Sequence, residues 1–452
     1  MKILLVSFLL LLSPIVFCQD STFIKSIYDE ALARGQAYND LRELCKNIGP
    51  RLSGSAKAEM AIEWSEEKFN SYKFDNVFKQ PIIVPHWERG TTESGWVSSK
   101  KGNLHKLNLL ALGGSVSTNG LMKGQLIEFS SLEELKKANK QKVAGKIVFI
   151  NQKMDATFIQ TFKAYGGCYA IRGEGAVEAA KKGAIAVLIR SLGLPIDEHP
   201  HTGSMRYDKD TPKIPAAAIS TLDAEIVSKW LETETLNARI ELNCKEYPDA
   251  PSFNVMGELK GKNENSIISI GGHLDSWDTG EGAHDDGAGV IHCMEALRIL
   301  KELGYKPKHT LRVIFFMNEE NGNAGGKAYA TWTKEKGENQ VAALESDRGG
   351  FAPRGFSCDG SEEHIQLISS FSGLFAPYDL HVFEKGYGGV DIGPLKNTYP
   401  GIPLFGFVPD SQRYFDFHHA PSDVFENVNE RELALGAAGI AAFIYLLDKE
   451  LP

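Results

Sequence analysis

The sequence predicts an α/β protein with a mostly parallel, mixed sheet sandwiched by helices, and three observations support this fold class. Strand-like apolar runs, SIISIGG, LRVIFFM and VAALESD, alternate after Ser252 with amphipathic helical segments such as AGVIHCMEALRILKELG. This alternation is typical of parallel strands joined by crossover helices. A chain of 452 residues corresponds to roughly two to three domains, and its 42% of apolar residues can build full cores.

The first segment, residues 1–18, predicts a secretion signal that is cleaved. Met1 and Lys2 precede an apolar run from Ile3 to Phe17, and polarity returns directly afterwards. The run is too short for a membrane span and contains Pro14, so we expect no span after cleavage and a secreted or otherwise extracytoplasmic protein. Lipid attachment at Cys18 is an alternative that the bulky residues before it disfavour.

The mature chain then divides into three segments. Residues 19–119 begin the main domain, with a pattern that fits two helices followed by an edge strand. Residues 120–244 change texture to short strand-like runs such as GKIVFIN and AIAVLIRS near the helical segment GAVEAAKKG, which predicts an inserted module. Residues 245–452 carry the alternating strands and helices, and we expect them to hold the catalytic site.

Charge and cysteine content exclude several classes of function. The net charge of -9 argues against binding nucleic acid, which needs clustered Lys and Arg on one face. Removal of the signal leaves five cysteines, none in a CxxC pair, so a thiolate zinc site is not expected. The minimum motifs of serine esterases, zincins, P-loop proteins and dinucleotide-binding proteins are missing as well.

Side chains that can bind metal follow three of the strand-like runs. Because the carboxyl ends of parallel strands meet at one edge of a sheet, we expect these side chains to lie close together. They are His273 and Asp275 after Ile267–Ile270, Glu319 and Glu320 after Leu311–Met317, and Asp347 after Val341–Leu344.

These residue types predict a hydrolytic site for two divalent ions, about 3.5–4 Å apart and sharing one carboxylate. Asp285, in GAHDDGAG, is the predicted bridge, and Asp286 beside it is expected to cap the following helix. Asp275 is expected to point to the same side as His273 and to accept its second ring N–H. Of the adjacent glutamates one binds metal, and Glu319 is the expected base that takes a proton from water.

Asp347 and His419 complete the predicted ligand set, one for each ion. His418 competes with His419, because adjacent residues of an extended loop face opposite ways and spacing alone leaves the choice open. Two further histidines, His199 and His201 in DEHPHTG, are interpreted as part of a polar loop.

The ordered set H-x-D, GAxDD, EE, D and H closely resembles that of the M28 family of co-catalytic zinc peptidases. RLSGSAKAEMAIEW, EENGNAGGKAY and GGVDIGPLKNTYPGIP are similar to further family segments, so the resemblance covers nearly the whole mature chain. The middle segment resembles a protease-associated domain inserted into the zinc exopeptidase fold.

The resemblance implies two zinc ions per chain and a division of the ligands. One ion is held by His273 and Asp347, the other by Glu320 and His419, with Asp285 shared and Glu319 as the acid/base. It further implies a cis peptide bond between Asp285 and Asp286, cleavage of dipeptides or other short peptides with a free N-terminus, and a homodimer. The sequence departs from the family pattern at Asn323, Gly326, Val390 and Ile392, which alters the shape and polarity expected of the substrate pocket.

Two other functions stay open at this point. A receptor-like ectodomain that binds without catalysis is possible on the same scaffold, because function resides in the site and not in the fold. A single-zinc aminoacyl cyclase is the second alternative, and it should lack the inserted module.

Overall fold

A computed structural model describes the backbone of residues 3–452 and the side chains from residue 19 onward. Met1, Lys2 and the side chains up to Cys18 lie outside the described residues, so the secretion signal stays a prediction. Within residues 3–452, the helices do not include one that combines the length and hydropathy required to cross a bilayer.

Fifteen α-helices and sixteen strands are described. The helices are α1 Ile3–Arg34, α2 Ala37–Glu43, α3 Ala56–Ser71, α4 Leu132–Lys137, α5 Lys140–Val143, α6 Thr161–Cys168, α7 Ala170–Lys181, α8 Thr221–Leu231, α9 Ala288–Glu302, α10 Ala324–Glu335, α11 Glu362–Ser370, α12 Ser372–Phe375, α13 Leu395–Thr398, α14 Tyr414–Phe417 and α15 Glu430–Glu450. The strands are β1 Asn76–Glu88, β2 Glu93–Ser99, β3 Leu104–Leu107, β4 Leu109–Ala111, β5 Met122–Phe129, β6 Ile147–Ile150, β7 Ala186–Arg190, β8 Ala216–Ile219, β9 Leu236–Leu242, β10 Lys245–Leu259, β11 Asn263–His273, β12 His309–Phe316, β13 Asn339–Glu345, β14 Pro353–Asp359, β15 Val382–Lys385 and β16 Leu404–Pro409.

The larger sheet is mixed and has the strand order β1-β10-β12-β11-β13-β16-β14-β15. Its centre, β12-β11-β13-β16, is parallel, and so is the pair β14–β15, whereas β1–β10, β10–β12 and β14–β16 are antiparallel. The predicted edge strand of the N-terminal segment is confirmed, since β1 lies at one edge. The three predicted strand runs also become the neighbouring parallel strands β11, β12 and β13.

Helices cover both faces of this sheet because side chains along each strand alternate between the two sides. On β12, Val313 and Phe315 pack in the core that contains α1, α9 and α15. The intervening Ile314 and Phe316 pack on the opposite face, against Tyr329 of α10. Burying each such side chain contributes about 1.5–3 kcal/mol, so the two cores hold the strand ends in fixed positions. The predicted fold class is confirmed.

A second sheet, of order β3-β2-β9-β5-β6-β7-β8-β4, packs in two further cores, which also contain side chains from outside it such as Phe415 and Trp277. It begins at Glu93, earlier than the boundary at residue 120 that the sequence suggests, because β2 pairs with β9 and β4 pairs with β8. The chain returns to the larger sheet at Lys245, where β10 pairs with β1. The second sheet is therefore an insertion between two adjacent strands of the first.

The cysteines from residue 19 onward are all free and all buried. They are Cys45, Cys168, Cys244, Cys293 and Cys358. In the described part of the chain they behave as small apolar side chains in the cores.

Candidate metal centre

Five of the predicted ligands converge at the carboxyl edge of the parallel strands. His273 is the last residue of β11, Glu320 follows β12, and Asp347 follows β13. Asp285 lies in the irregular turn Ala283–Gly287 that leads into α9, and His419 lies just after α14. The convergence follows from the parallel pairing of β12, β11 and β13, which places the ends of these strands side by side.

The five side chains form two groups that share Asp285. In one, the Nε2 atom of His273 lies 3.2 Å from Oδ1 of Asp285 and 3.5 Å from Oδ1 of Asp347. In the other, Nε2 of His419 lies 3.2 Å from Oδ2 of Asp285 and 3.1 Å from Oε2 of Glu320. The two oxygens of one carboxylate thus face two separate sets of ligand atoms, which is the arrangement a bridging carboxylate requires.

The donor set fits two divalent cations. Asp285 Oδ2 and Glu320 Oε1 are buried, and neither has a hydrogen-bond partner among the described residues. A buried carboxylate oxygen without a partner is costly unless a cation or a proton compensates its charge. Imidazole nitrogen and carboxylate oxygen are the ligands that zinc prefers in hydrolytic sites, so these residues fit zinc.

Electrostatics at the site reflect the crowding of acids and imidazoles. Burial lowers the pKa of His419, but the carboxylates of Glu320 and Asp285 outweigh burial and raise that pKa to about 9. Burial raises the pKa of the Glu320 carboxyl to about 7, and the charge of Asp285 adds to this effect. Positive charge is therefore favoured at the centre of this cluster.

Glu319 is separated from its neighbour Glu320 by orientation. Both glutamates line a cavity of about 1340 Å³, together with Asp347, His418 and other residues, but it is the Glu320 side chain that contacts His419. Burial, assisted by the charges of Asp347 and Glu320, raises the pKa of the Glu319 carboxyl well above its ordinary value. A carboxylate with raised basicity beside the ligand groups is suited to accept a proton.

Asp275 accepts the ring N–H of His273 through its main chain, and its carboxylate has another role. Nδ1 of His273 donates to the main-chain oxygen of Asp275, at 2.9 Å, and the Asp275 carboxylate lies farther away, at 3.9 Å. That carboxylate instead accepts the main-chain N–H groups of Asn318, Glu319 and Glu320, at 2.7, 3.1 and 3.4 Å. Asp275 thus accepts the ring N–H of His273 as predicted, but through its main-chain oxygen, because its carboxylate is buried beneath the turn after β12, where three N–H groups need an acceptor. Asp275 therefore positions both glutamates.

Asp286 has the capping role that the sequence predicts. Its carboxylate accepts the N–H of Gly289 in the first turn of α9, at 3.1 Å, and also the N–H of His273, at 3.0 Å. The Asp285–Asp286 peptide bond is cis, as the family resemblance implies.

Asp423, in HAPSD, holds the backbone of Asp285, the predicted bridge, and sequence reasoning missed this role. Its two carboxylate oxygens accept the N–H of His284 at 2.7 Å and the N–H of Asp285 at 3.1 Å. Burial raises the pKa of this carboxyl to about 7. The acidic end of the HAPSD segment was the available signal, but its partner could not be read from sequence.

Replacing Asp423 with Asn is expected to weaken zinc binding by about 10–100-fold, because an amide NH₂ cannot accept a main-chain N–H. Competition with a chromophoric chelator measures the affinity. Asp416→Asn is the matched control, since Asp416 lies in the same segment and is half-buried without contacting the ligands. Equal affinities for Asp423→Asn and the wild-type protein would contradict this role.

Arg51 supports the same loop, a role that its place in the segment RLSGSAKAEMAIEW did not reveal. It is fully buried, and its guanidinium donates to the main-chain oxygens of Leu274, Glu281 and Gly282, at 2.5, 2.7 and 3.0 Å. These carbonyls flank the loop between His273 and Asp285. Arg51 therefore fixes the separation of the two ligand-bearing segments.

His418 and His419 both face the centre, contrary to the expectation that they point in opposite directions. His419 has a left-handed backbone conformation, with φ of 60°, which turns consecutive side chains to the same side. The two imidazoles stack with their centroids 3.6 Å apart, and Nε2 of His418 lies 3.7 Å from Oδ2 of Asp285. His201 lies in a loop, as interpreted from the sequence, but it is buried and its Nδ1 lies 2.7 Å from the His418 carbonyl.

The inserted module reaches the centre through the segment before residue 205. The Thr202 carbonyl lies 3.3 Å from Nδ1 of His419, and the Thr202 N–H donates to the His419 carbonyl at 2.9 Å. Ser204 donates to the Glu320 carbonyl at 2.8 Å, and Arg172 donates to the Thr202 carbonyl at 3.3 Å. His419 and Glu320 therefore both contact the inserted module.

The departures from the family pattern are matched by local contacts. At Gly326 a Cβ atom would lie 2.3 Å from the Asp391 carbonyl, so this position excludes a side chain. Asn323 donates to the Val390 carbonyl at 2.9 Å, and Glu345 accepts the N–H groups of residues 390–392 at 2.7–2.9 Å. Asn323 and Glu345 therefore fix the backbone of residues 390–392 at this wall of the cavity.

Comparison with known proteins identifies the family. Residues 254–444 match the model of peptidase family M28. Carboxypeptidase Q of Bos taurus is 35% identical over 427 residues, covering 93% of this chain and 87% of the relative, and that of Homo sapiens is 33% identical over 419 residues, covering 92% and 86%.

Solved structures agree with this assignment. A peptidase M28 precursor from Shewanella amazonensis SB2B has a TM-score of 0.90 and 32% identity, covering 96% of this chain and 99% of the other. The aminopeptidase from Aneurinibacillus sp. strain AM-1 has a TM-score of 0.60 at 21% identity, covering 93% and 95%, and shares the fold. The chain belongs to peptidase family M28, is similar to carboxypeptidase Q along almost its whole length, and is a metallo-exopeptidase.

Proposed function

We propose that the protein is a secreted di-zinc exopeptidase that hydrolyses dipeptides and other short peptides with a free N-terminus. The observation that carries this proposal is the pair of ligand groups that share Asp285 at the wall of a large cavity. His273, Asp285 and Asp347 would hold one zinc ion, and Glu320, His419 and Asp285 the other. When bound, the pair supplies a water of lowered pKa and polarises the scissile carbonyl.

The side chains then divide the remaining work. Glu319 accepts the proton of the attacking water and returns it to the leaving amine, which makes it both general base and general acid. Asp275 holds the backbone of residues 318–320, so that Glu320 contacts His419 while Glu319 stays beside the ligand groups. Asp286, Asp423 and Arg51 hold the loop of the bridging carboxylate. Precise placement of this kind determines rate, because small displacements of reacting groups are costly.

The module boundary and the assembly state belong to the same proposal. We assign the second sheet, Glu93 to Leu242, to a protease-associated domain inserted into the peptidase domain. Its contacts with His419 and Glu320 support a role in completing the second ligand group. Secretion rests on the apolar segment near the N-terminus, and a homodimer is the expected state in light scattering.

Metal content measured by mass spectrometry, paired with cleavage of a dipeptide panel, tests the function. We expect two zinc ions per chain and hydrolysis of dipeptides with a free N-terminus, but not of their N-acetylated counterparts. A receptor-like protein would cleave none of the panel. A single-zinc cyclase would retain one ion and convert peptides with an N-terminal Gln without hydrolysing the peptide bond.

A further inference from the structure

His418 is a cavity-lining imidazole whose position the proposed metal shell does not explain. It stacks on His419 and is surrounded by the rings of Tyr165, Tyr414 and Phe415, with centroids 5.1–5.3 Å away. Its main-chain oxygen lies 2.7 Å from Nδ1 of His201. The ring is therefore held rigidly, with its Nε2 edge beside Asp285 and open to the cavity.

The stacking geometry argues against His418 as a further ligand of the ion that His419 would hold. An imidazole binds metal through a lone pair in the plane of its ring. The rings of His418 and His419 are 3.6 Å apart and inclined by only 22°. Two imidazoles that are nearly parallel at this separation cannot both direct their lone pairs at one ion. His418 therefore faces the space beside the position at which His419 would hold its ion.

The surroundings of His418 also favour one tautomer. Its Nδ1 atom is buried and has no hydrogen-bond partner among the described residues. A proton on Nδ1 would thus be a buried donor without an acceptor, which folded proteins avoid. The proton therefore belongs on Nε2, which faces the cavity. Oδ2 of Asp285 is 3.7 Å from Nε2, which is beyond hydrogen-bond length.

We propose that His418 is a catalytic residue whose Nε2–H donates a hydrogen bond to the substrate carbonyl oxygen as negative charge develops there. The proposal rests on the proposed peptidase function. A rigid N–H donor directed at the developing charge lowers the activation barrier of acyl transfer, because the donor does not have to reorganise during the reaction. No covalent bond to His418 forms, and no proton is transferred.

The test compares two variants of the zinc-loaded full-length protein. His418→Phe keeps the aromatic packing and removes the donor, and its kcat is expected to fall by about 10²–10³-fold with two zinc ions retained. His418→Gln places an amide N–H close to the position of Nε2, and we expect it to recover about tenfold of the loss. His381→Phe is the control, because His381 is an exposed imidazole elsewhere on the cavity wall.

A binding measurement separates a catalytic role from a structural one. Calorimetry with a phosphinic pseudo-dipeptide, whose tetrahedral anion imitates the attacked carbonyl, should show an affinity loss in His418→Phe that matches the loss in kcat. Wild-type kcat in His418→Phe, loss of one zinc ion, or equal damage in both variants with unchanged inhibitor affinity would each overturn the proposal. Failure of the peptidase function itself is distinguishable, because the wild-type protein would then neither cleave dipeptides nor bind the inhibitor.

Discussion

Glu319→Gln is expected to lower kcat by about 10³-fold while both zinc ions stay bound. The amide has nearly the same shape as the carboxylate but cannot accept the proton of the attacking water. Zinc is retained because the ligand contacts involve Glu320 and not Glu319. Steady-state kinetics on a free dipeptide, together with metal analysis of the same preparation, measures both quantities.

Glu384→Gln provides the control for this substitution. Glu384 is an exposed carboxylate on the wall of the same cavity, away from the ligand groups. Its neutralisation changes the charge of the cavity by the same amount, so its kcat should stay within about twofold of wild type. If Glu319→Gln retained wild-type kcat, the role of Glu319 as base would be wrong.

Asp285→Ala is expected to remove both zinc ions and all measurable peptidase activity. Each ligand group depends on one oxygen of this carboxylate, so truncation leaves each group with only two protein ligands. Zinc sites with fewer than three protein ligands bind weakly. Mass spectrometry after gel filtration gives the number of ions retained per chain.

His419→Ala supplies the graded comparison for that experiment. It removes a ligand from the second group alone, and the group of His273 and Asp347 stays intact. We therefore expect two ions in the wild-type protein, one in His419→Ala and none in Asp285→Ala. One ion retained in Asp285→Ala would show that this residue does not bridge the pair.

The strands of the larger sheet and the convergence of the side chains at their ends could be predicted because both depend on local sequence. Ile267–Ile270 and Leu311–Met317 are apolar runs that must be buried on both faces, and this selects parallel central strands. Once the strands are parallel, His273, Glu320 and Asp347 meet at one edge as a matter of geometry.

The remaining features depend on contacts between distant segments, which a single sequence does not show. The left-handed backbone conformation of His419 decides the direction of the imidazoles of His418 and His419. The residue types around this position do not predict that conformation. The acceptor role of Asp275 depends on the turn after β12, and Arg51 acts on a loop far along the chain. The start of the second sheet at Glu93 follows from pairing with β9, a strand that lies much later.

Contact of Thr202 and Ser204 with the second ligand group has a consequence for engineering. A graft that exchanged the inserted module for one from a relative would alter access to the cavity, and it would also replace the carbonyl that orients His419 and the hydroxyl that anchors Glu320. Chimeras of this kind should therefore lose occupancy of one ion before any change in substrate preference appears. A chimera that keeps residues 201–204 and α7 of the present chain would preserve these contacts.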